Sequence, residues 1–530
     1  MRYTGIVVCL LLSALLSLAP LSAQEVSGAL QGRVILGDST AAAGMQLELT
    51  GANLQASRRR VSDRTGFYQF LALPPGVYSL RITRIGVRPL RVDNIVVDLG
   101  RTTGLPPAVL EIVAQEMAEQ RIEASDMDLD PVRTTAGGTI RAAEFAELPT
   151  ERDYKALIPI LPQVNVSHRG DLPNVAGSTG VENQYFIDGV NVSDPRGGSR
   201  ATNLPYNFVR AVDVKTGGYQ AQYGRSLGAV VTAVTYSGGN QLEWSAFAFG
   251  QPSALSFRPR ALPGVTTGKL DSYDMGVRVG GAVVRDRLWY SVALNPRREV
   301  YDKEVVGIGP ASDRTTALLF ASKLTWSASP RSTLELTLFG DPTTQDAVIS
   351  PTGYGAITSV LNPDPVLLRD ESGGTSIAVR GTFTPSERLL IETSASHQRD
   401  QGSVRARTAI GASEEVFIDY VDGAVSGGTG FKVSETRGRL TVGARATYGR
   451  ERHTLVAGVE YDEGIVDTRT VQTGIGVIYR HAPGEYEVVA ESSDGAFRNR
   501  SPAAFLQDSW RASDRLTINM GLRWSGQFWG

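Results

Sequence analysis

The chain has 530 residues, 53 Lys and Arg against 55 Asp and Glu, a formal net charge of −2, four His and one Cys. At ~150 residues per domain the length suggests about three or four domains. The balanced charge argues against a nucleic-acid binder, which would carry a basic excess; His168, His397, His453 and His481 are scattered without metal-ligand spacing, so no metal or cofactor site is expected.

Residues 1–23 have the three-part plan of an export signal. Met1-Arg2 is a short basic start, Ile6–Ala19 an apolar run, and Leu21-Ser22-Ala23 a small-residue end. The run is shorter than the ~20 residues a membrane-spanning helix needs. The one cysteine, Cys9, lies inside it, so the exported chain would be cysteine-free. No later apolar run reaches helix-spanning length. If the protein enters a membrane, it does so with strands.

Residues 24–112 read as a β-sandwich. Alternating runs at Ala29–Ile35, Met45–Leu49, Phe67–Leu71, Val77–Ile82 and Leu90–Val97 are separated by turn clusters at Ser62–Gly66 and Leu73–Gly76. Gly32-Arg33-Val34, Ser62-Asp63-Arg64-Thr65-Gly66-Phe67-Tyr68 and Leu73-Pro74-Pro75-Gly76-Val77-Tyr78 resemble the carboxypeptidase regulatory-like domain. The resemblance implies a seven-stranded, transthyretin-like sandwich without catalytic residues.

Residues 113–138 read as a linker, with Glu111–Met127 either a short helix or a flexible stretch. Residues 139–239 carry the most informative motifs. Thr139–Phe145 reads as a capped helical turn, and Arg152–Leu161 as a short helix ended by Pro162. Asp188-Gly189 between apolar runs is a hairpin signal. Phe208–Lys215 and Leu227–Thr235 read as strands.

In order and spacing, Tyr185, Ile187, Asp188 and Gly189, then Lys215, Gly217, Gly218 and Tyr219, then Tyr223, Gly224 and Arg225 resemble the plug domain of TonB-dependent outer-membrane receptors. The similarity is greatest to the Oar-like group, whose plug follows a carboxypeptidase-like domain. It implies an α+β plug inside an antiparallel transmembrane barrel. It also implies a TonB energy-coupling partner, with a TonB box before the plug. The matching place is Arg121, Ile122, Glu123, Ala124 and Ser125, expected to be mobile until a partner strand pairs with it. Gly224–Gly228 fits G-x-S-x-G, the hydrolase elbow, but is followed by a strand rather than a helix, so enzymatic activity is not expected. Gly427–Gly430 reads as a flexible loop rather than a phosphate cradle.

From residue 240 to 530 the pattern becomes long alternating segments, expected at 241–250, 273–284, 288–299, 315–327, 332–340, 374–384, 388–399, 436–448, 453–464, 500–510 and 515–526. Leu516, Ile518, Met520, Leu522 and Trp524 share one face, and Arg523 lies on the other. Apolar outside and polar inside is the outer-membrane barrel pattern, as are short turns alternating with long polar links. Trp289, Tyr290, Trp326, Tyr448, Trp510 and Trp524 are expected at the lipid interfaces.

Eleven strands are half of the twenty-two or so with which such transporters close. The expectation is therefore a partial barrel, from a truncated reading frame or a fragment. The leading function is import of a scarce nutrient across the outer membrane by plug displacement. The alternatives are a structural or adhesive protein on the same scaffold, or a non-functional truncated receptor. Expected partners are outer-membrane lipid and a small-molecule, oligosaccharide or peptide ligand, with a surface lipoprotein as a further candidate. The sequence assigns no ligand-binding residue.

Overall fold

The computed structural model describes residues 26–37, 40–112, 119–124, 134–145, 152–167, 172–198, 201–256, 268–305, 307–350, 355, 357–450, 452–490, 492–513 and 516–530. The expected export signal, residues 1–23, lies outside the described residues, as does Ser125.

Nine strands build the N-terminal sandwich: β1 Gly28–Leu36, β2 Gln46–Thr50, β3 Arg58–Val61, β4 Phe67–Leu73, β5 Gly76–Thr83, β6 Leu90–Val97, β7 Thr102–Gly104, β8 Ala108–Leu110 and β9 Gln120–Glu123. One sheet runs β4-β1-β7, with β8 also on β1. The other runs β3-β2-β5-β6-β9. Leu30, Val34, Leu47, Leu49, Phe70, Leu80, Ile82 and Val97 meet between them, fully buried. The five runs read from alternation are all strands. The count exceeds the expected seven by two, and it includes two three-residue strands, β7 and β8, and β9 from beyond residue 112. β3, Arg58-Arg59-Arg60-Val61, had no apolar alternation to reveal it. Cross-strand charge holds it instead, with Arg59 pairing to Glu48 of β2 at 3.0 Å.

The plug is a five-stranded sheet in the order β10-β15-β16-β13-β14, with a small β11–β12 pair beside it. Here β10 is Ala136–Arg141, β11 Val164–Asn165, β12 Asn174–Val175, β13 Gln184–Ile187, β14 Val190–Asn191, β15 Val209–Gly217 and β16 Val230–Thr235. The helical reading from Thr139 is corrected. Thr139 to Arg141 are strand, and the Thr139 hydroxyl bonds Asp213 across it at 2.7 Å. Only Ala142–Phe145 is helical, capped by the Glu144 carboxylate on the Arg141 amide at 3.0 Å. Tyr154–Ile160 is a 3-10 turn, entered through Asp153, whose carboxylate accepts from the Lys155 amide at 2.9 Å. Tyr154, Leu157, Tyr185, Ile187, Val212, Val214 and Val231 form the plug core. It is continuous with Phe339 and Ala378 of the surrounding wall, so plug and wall bury one apolar surface.

All eleven long strands are present: Glu243–Gln251, Lys269–Val284, Leu288–Val305, Gly309–Ser329, Ser332–Gly340, Gly374–Ser386, Leu389–Ala406, Phe431–Arg450, His453–Gln472, Ser493–Ser513 and Leu516–Ser525. Each pairs antiparallel with the next. Among the described residues the first and last are not paired, so the sheet is open and curls around the plug. Leu516, Met520, Leu522 and Trp524 face out, more than half exposed, while Arg523 points in to Glu460 at 3.1 Å.

Several strands run well beyond their expected ends, and the links expected to be loops are built. Thr343–Val348 pairs with Leu367–Ser372. Ser359–Val360, Ala424–Gly427, Val416–Asp419, Val477–Ala482 and Glu485–Val489 form a separate sheet over an Ile357, Val416, Ile418 and Val425 core. The stretch at Gly427–Gly430 is correspondingly not a free loop. Thr429 is buried, its hydroxyl donating to Gly411 O at 2.9 Å. Trp289 also departs from expectation. It is 2 % exposed and faces inward, its indole donating to Asn240 at 2.8 Å.

Candidate functional site

The hairpin signal at Asp188-Gly189 is the turn between β13 and β14, with φ of 48° and 80°. The Asp188 carboxylate is buried. It accepts from the Thr235 amide at 3.0 Å, the Thr235 hydroxyl at 2.5 Å and Lys323 Nζ of the wall at 2.8 Å. Arg380 of the wall donates to Asp188 O at 2.9 Å, and a Cβ at Gly189 would lie 1.9 Å from that guanidinium. Glycine is therefore required twice, by φ and by the arginine. Burial pushes the Asp188 carboxyl up, but the Lys323 charge and the Thr235 donors outweigh it and hold it below the usual range.

The second motif group sits on β15 and the loop after it. Lys215 is buried against Asp213 and under the Tyr223 ring, 5.1 Å from its centroid. Gly217 ends β15, and Gly218 turns the chain with φ 65°. The Tyr219 hydroxyl donates to Gly228 O. Gly224 lies against the Arg523 guanidinium. Arg225 reaches the wall at Glu460, 2.6 Å, and Asp462, 3.0 Å. Tyr185 and Ile187 are core residues. The motif residues thus shape the plug and tie it to the wall. The Ser226 hydroxyl bonds Glu182 O and Ala229 O and leads into β16, so no nucleophile elbow is formed.

The space for a ligand lies elsewhere. A cavity of about 730 Å³ opens between the plug and the wall toward the long-loop end. The plug contributes Asp153, Lys155, Asp194, Thr202 and Asn203; the wall contributes Asp341, Gly373, Asp400 and Arg437. None of these was singled out in sequence. They come from seven separated segments with no common motif, and only the fold assembles them.

The candidate coupling segment is not free. Arg121, Ile122 and Glu123 lie in β9, paired in parallel with β6, and Ala124 packs on the sandwich core. The Gln120 amide donates to Pro89 O at 2.8 Å and the Ala124 amide to Asp93 O at 2.9 Å. Glu119 pairs with Arg81 at 2.5 Å and Arg121 with Asp93 at 3.1 Å. The expectation of a segment mobile until bound is corrected for these residues: an open sheet edge within reach satisfies their backbone groups.

The sandwich is seated across the short-turn ends of the sheet. Gln55 O accepts from Asn240 at 3.0 Å, Asp63 pairs with Arg388 at 3.4 Å, Ala29 and Leu71 pack on Leu390, and Asp98 pairs with Arg141 of the plug at 2.6 Å.

Residues 29–111 match the carboxypeptidase regulatory-like domain and residues 422–529 the outer membrane beta barrel domain. With the plug and open sheet described above, these matches give an N-terminal carboxypeptidase regulatory-like domain followed by a sheet with the fold of outer-membrane β-barrels. Among characterised proteins the chain is similar to the TonB-dependent transporter Oar of Myxococcus xanthus, 25 % identical over 600 aligned positions that cover 92 % of this chain and 56 % of that one. The chain thus spans about half the length of this relative.

Solved structures with the same fold include the outer membrane transporter YddB of Escherichia coli, at 15 % identity and TM-score 0.56 over 74 % of this chain and 56 % of that one. A mutant ferric enterobactin receptor of Pseudomonas aeruginosa matches at 18 % and 0.53 over 74 % and 58 %. The ferric yersiniabactin uptake receptor FyuA of Yersinia pestis matches at 14 % and 0.53 over 74 % and 56 %.

Proposed function

We propose that the protein acts in active import across the outer membrane. A scarce nutrient enters from the long-loop side, binds in the 730 Å³ cavity above the plug, and passes when the plug moves. The observation that carries this reading is the plug itself, wedged inside the barrel wall with a ligand-sized cavity on one side. A space of this volume falls within the range of small-molecule sites. The energy comes from a TonB-type complex in the periplasm, engaging the chain at Arg121–Ser125. On this reading β9 is the handle and the sandwich its holder. The motif residues from Tyr185 to Arg225 fix the plug in its closed position and do not contact cargo.

The test is saturable solute uptake by cells bearing the protein, measured with and without a protonophore. Uptake that collapses with the membrane potential supports import. Solute binding at the surface without potential-dependent entry would support an adhesive or structural role instead.

A further inference from the structure

The cavity above the plug carries an uneven charge. Among the described residues four carboxylates line it, Asp153, Asp194, Asp341 and Asp400, against two cations, Lys155 and Arg437. Both cations are engaged. Lys155 Nζ donates to Asn203 Oδ1 at 2.6 Å and Ala201 O at 3.0 Å, and stands 3.7 Å from Asp153. Arg437 pairs with Glu435 at 2.8 Å and with Asp194 at 3.4 Å. Asp341 and Asp400 have no ion-pair partner among the described residues. Their hydrogen-bond donors are neutral: the Asn203 and Gly374 amides on Asp341, at 2.7 and 3.2 Å, and Gln398 Nε2 on Asp400 at 2.9 Å.

The two carboxylates converge at Gly374. Its amide touches Asp341, and a Cβ there would lie 2.2 Å from Asp400 Oδ1. A second observation points the same way. Thr202 is 6 % exposed and lines this cavity, yet its hydroxyl has no partner among the described residues. Buried hydroxyls are normally satisfied. Two like charges held together out of bulk water are costly unless an opposite charge joins them.

We infer that the cavity takes a ligand presenting a primary ammonium, seated between Asp341 and Asp400 and donating to the Thr202 hydroxyl. The class is cationic and amine-bearing, of a size up to a short basic peptide. This rests on the proposal above only in taking the cavity as the binding site.

The probe is tri-lysine, titrated calorimetrically into the full chain in detergent, with succinylated tri-lysine as the anionic counterpart. Tri-lysine should bind and the succinylated peptide should not. Asp400→Asn should weaken tri-lysine about tenfold or more, since it removes one member of a desolvated charge pair. Thr202→Ala should weaken it by a smaller factor, and Asp400→Lys should abolish it. Asp400→Asn keeps the shape and an oxygen that can accept from Gln398, and retained heat-modifiable migration shows that it folds. No binding of tri-lysine, binding indifferent to Asp400→Asn, or equal binding of the succinylated peptide overturns the inference. Potential-driven uptake of a neutral or anionic solute would leave the import reading intact while removing this one. Tri-lysine binding without any potential-driven entry would do the reverse.

Discussion

Asp188 and Lys323 form an ion pair between plug and wall. Both are buried, and each side chain is about 5 % exposed. Removing one leaves the other charged and uncompensated, which costs about 3–5 kcal/mol. Asp188→Ala should therefore lower the temperature at which the folded chain loses heat-modifiable migration, whereas Asp188→Ala combined with Lys323→Met should recover much of the loss. The carboxyl is held below its ordinary range, so its contribution is complete above the unfolded value of about 3.9 and fades as pH falls through the lower folded value. Proteolytic accessibility of the Asp188 turn should accordingly rise only in acid, and Asp188→Asn should flatten that pH dependence.

A second contrast tests the facing of the last strand. Met520 is 53 % exposed on the outer face, and Met520→Arg should cost roughly 2–4 kcal/mol near the midplane. Asn519 faces in and accepts from the Ser509 hydroxyl at 2.6 Å. Asn519→Arg should cost no more than about 1 kcal/mol, the worth of that bond. Equal costs in urea unfolding from detergent would refute the facing.

Strands were legible where one face meets an apolar phase and the other does not. Leu516-Thr517-Ile518-Asn519-Met520 alternates for that reason, and all eleven long strands were located. Beyond the membrane both faces are wet and the alternation disappears. Arg498 and Arg500 of Ser493–Ser513 both pair with Glu463 across the strand, and nothing in their sequence separates strand from loop. The plug hairpin was legible because Asp-Gly at positive φ is a local device. The cavity residues and the docking of β9 were not, since each depends on segments far apart in the chain.

β9 yields its own prediction. It is four residues long, and its side-chain anchors are Arg121 on Asp93 and Glu119 on Arg81. Ile122→Pro removes a ladder donor, and Asp93→Ala removes an anchor. Either should speed amide exchange at residues 120–124 while leaving β5 protected. Unchanged exchange in both variants would show that β9 is not held by β6. If residues 119–124 are the handle for import, Ile122→Pro should also stop uptake while ligand binding persists.

At the level of the assembled chain, the sandwich lies over the short-turn ends of the strands and against the plug. On the import reading, a route from the cavity past the plug meets two obstacles in series. The only cysteine of the sequence is Cys9, so in a Cys9→Ser background introduced pairs react without competition. Asp63→Cys with Arg388→Cys, bridged by a short bis-maleimide, should stop import and leave ligand binding intact. Import that continues through the bridged protein would mean that the sandwich stays seated while cargo passes.

The parallel docking of β9 on β6 also makes the direction of a pull matter. Drawn along its own axis, β9 loads its backbone bonds and both ion pairs together, and they share the force. Drawn sideways from the sheet edge, it gives up one bond at a time. A sideways tug thus frees β9 alone and leaves the sandwich in place. An axial tug is passed whole to the sandwich, whose hold on plug and wall at Asp98–Arg141 and Asp63–Arg388 then yields first or not at all. The same short strand is a zip in one direction and a tow-hook in the other.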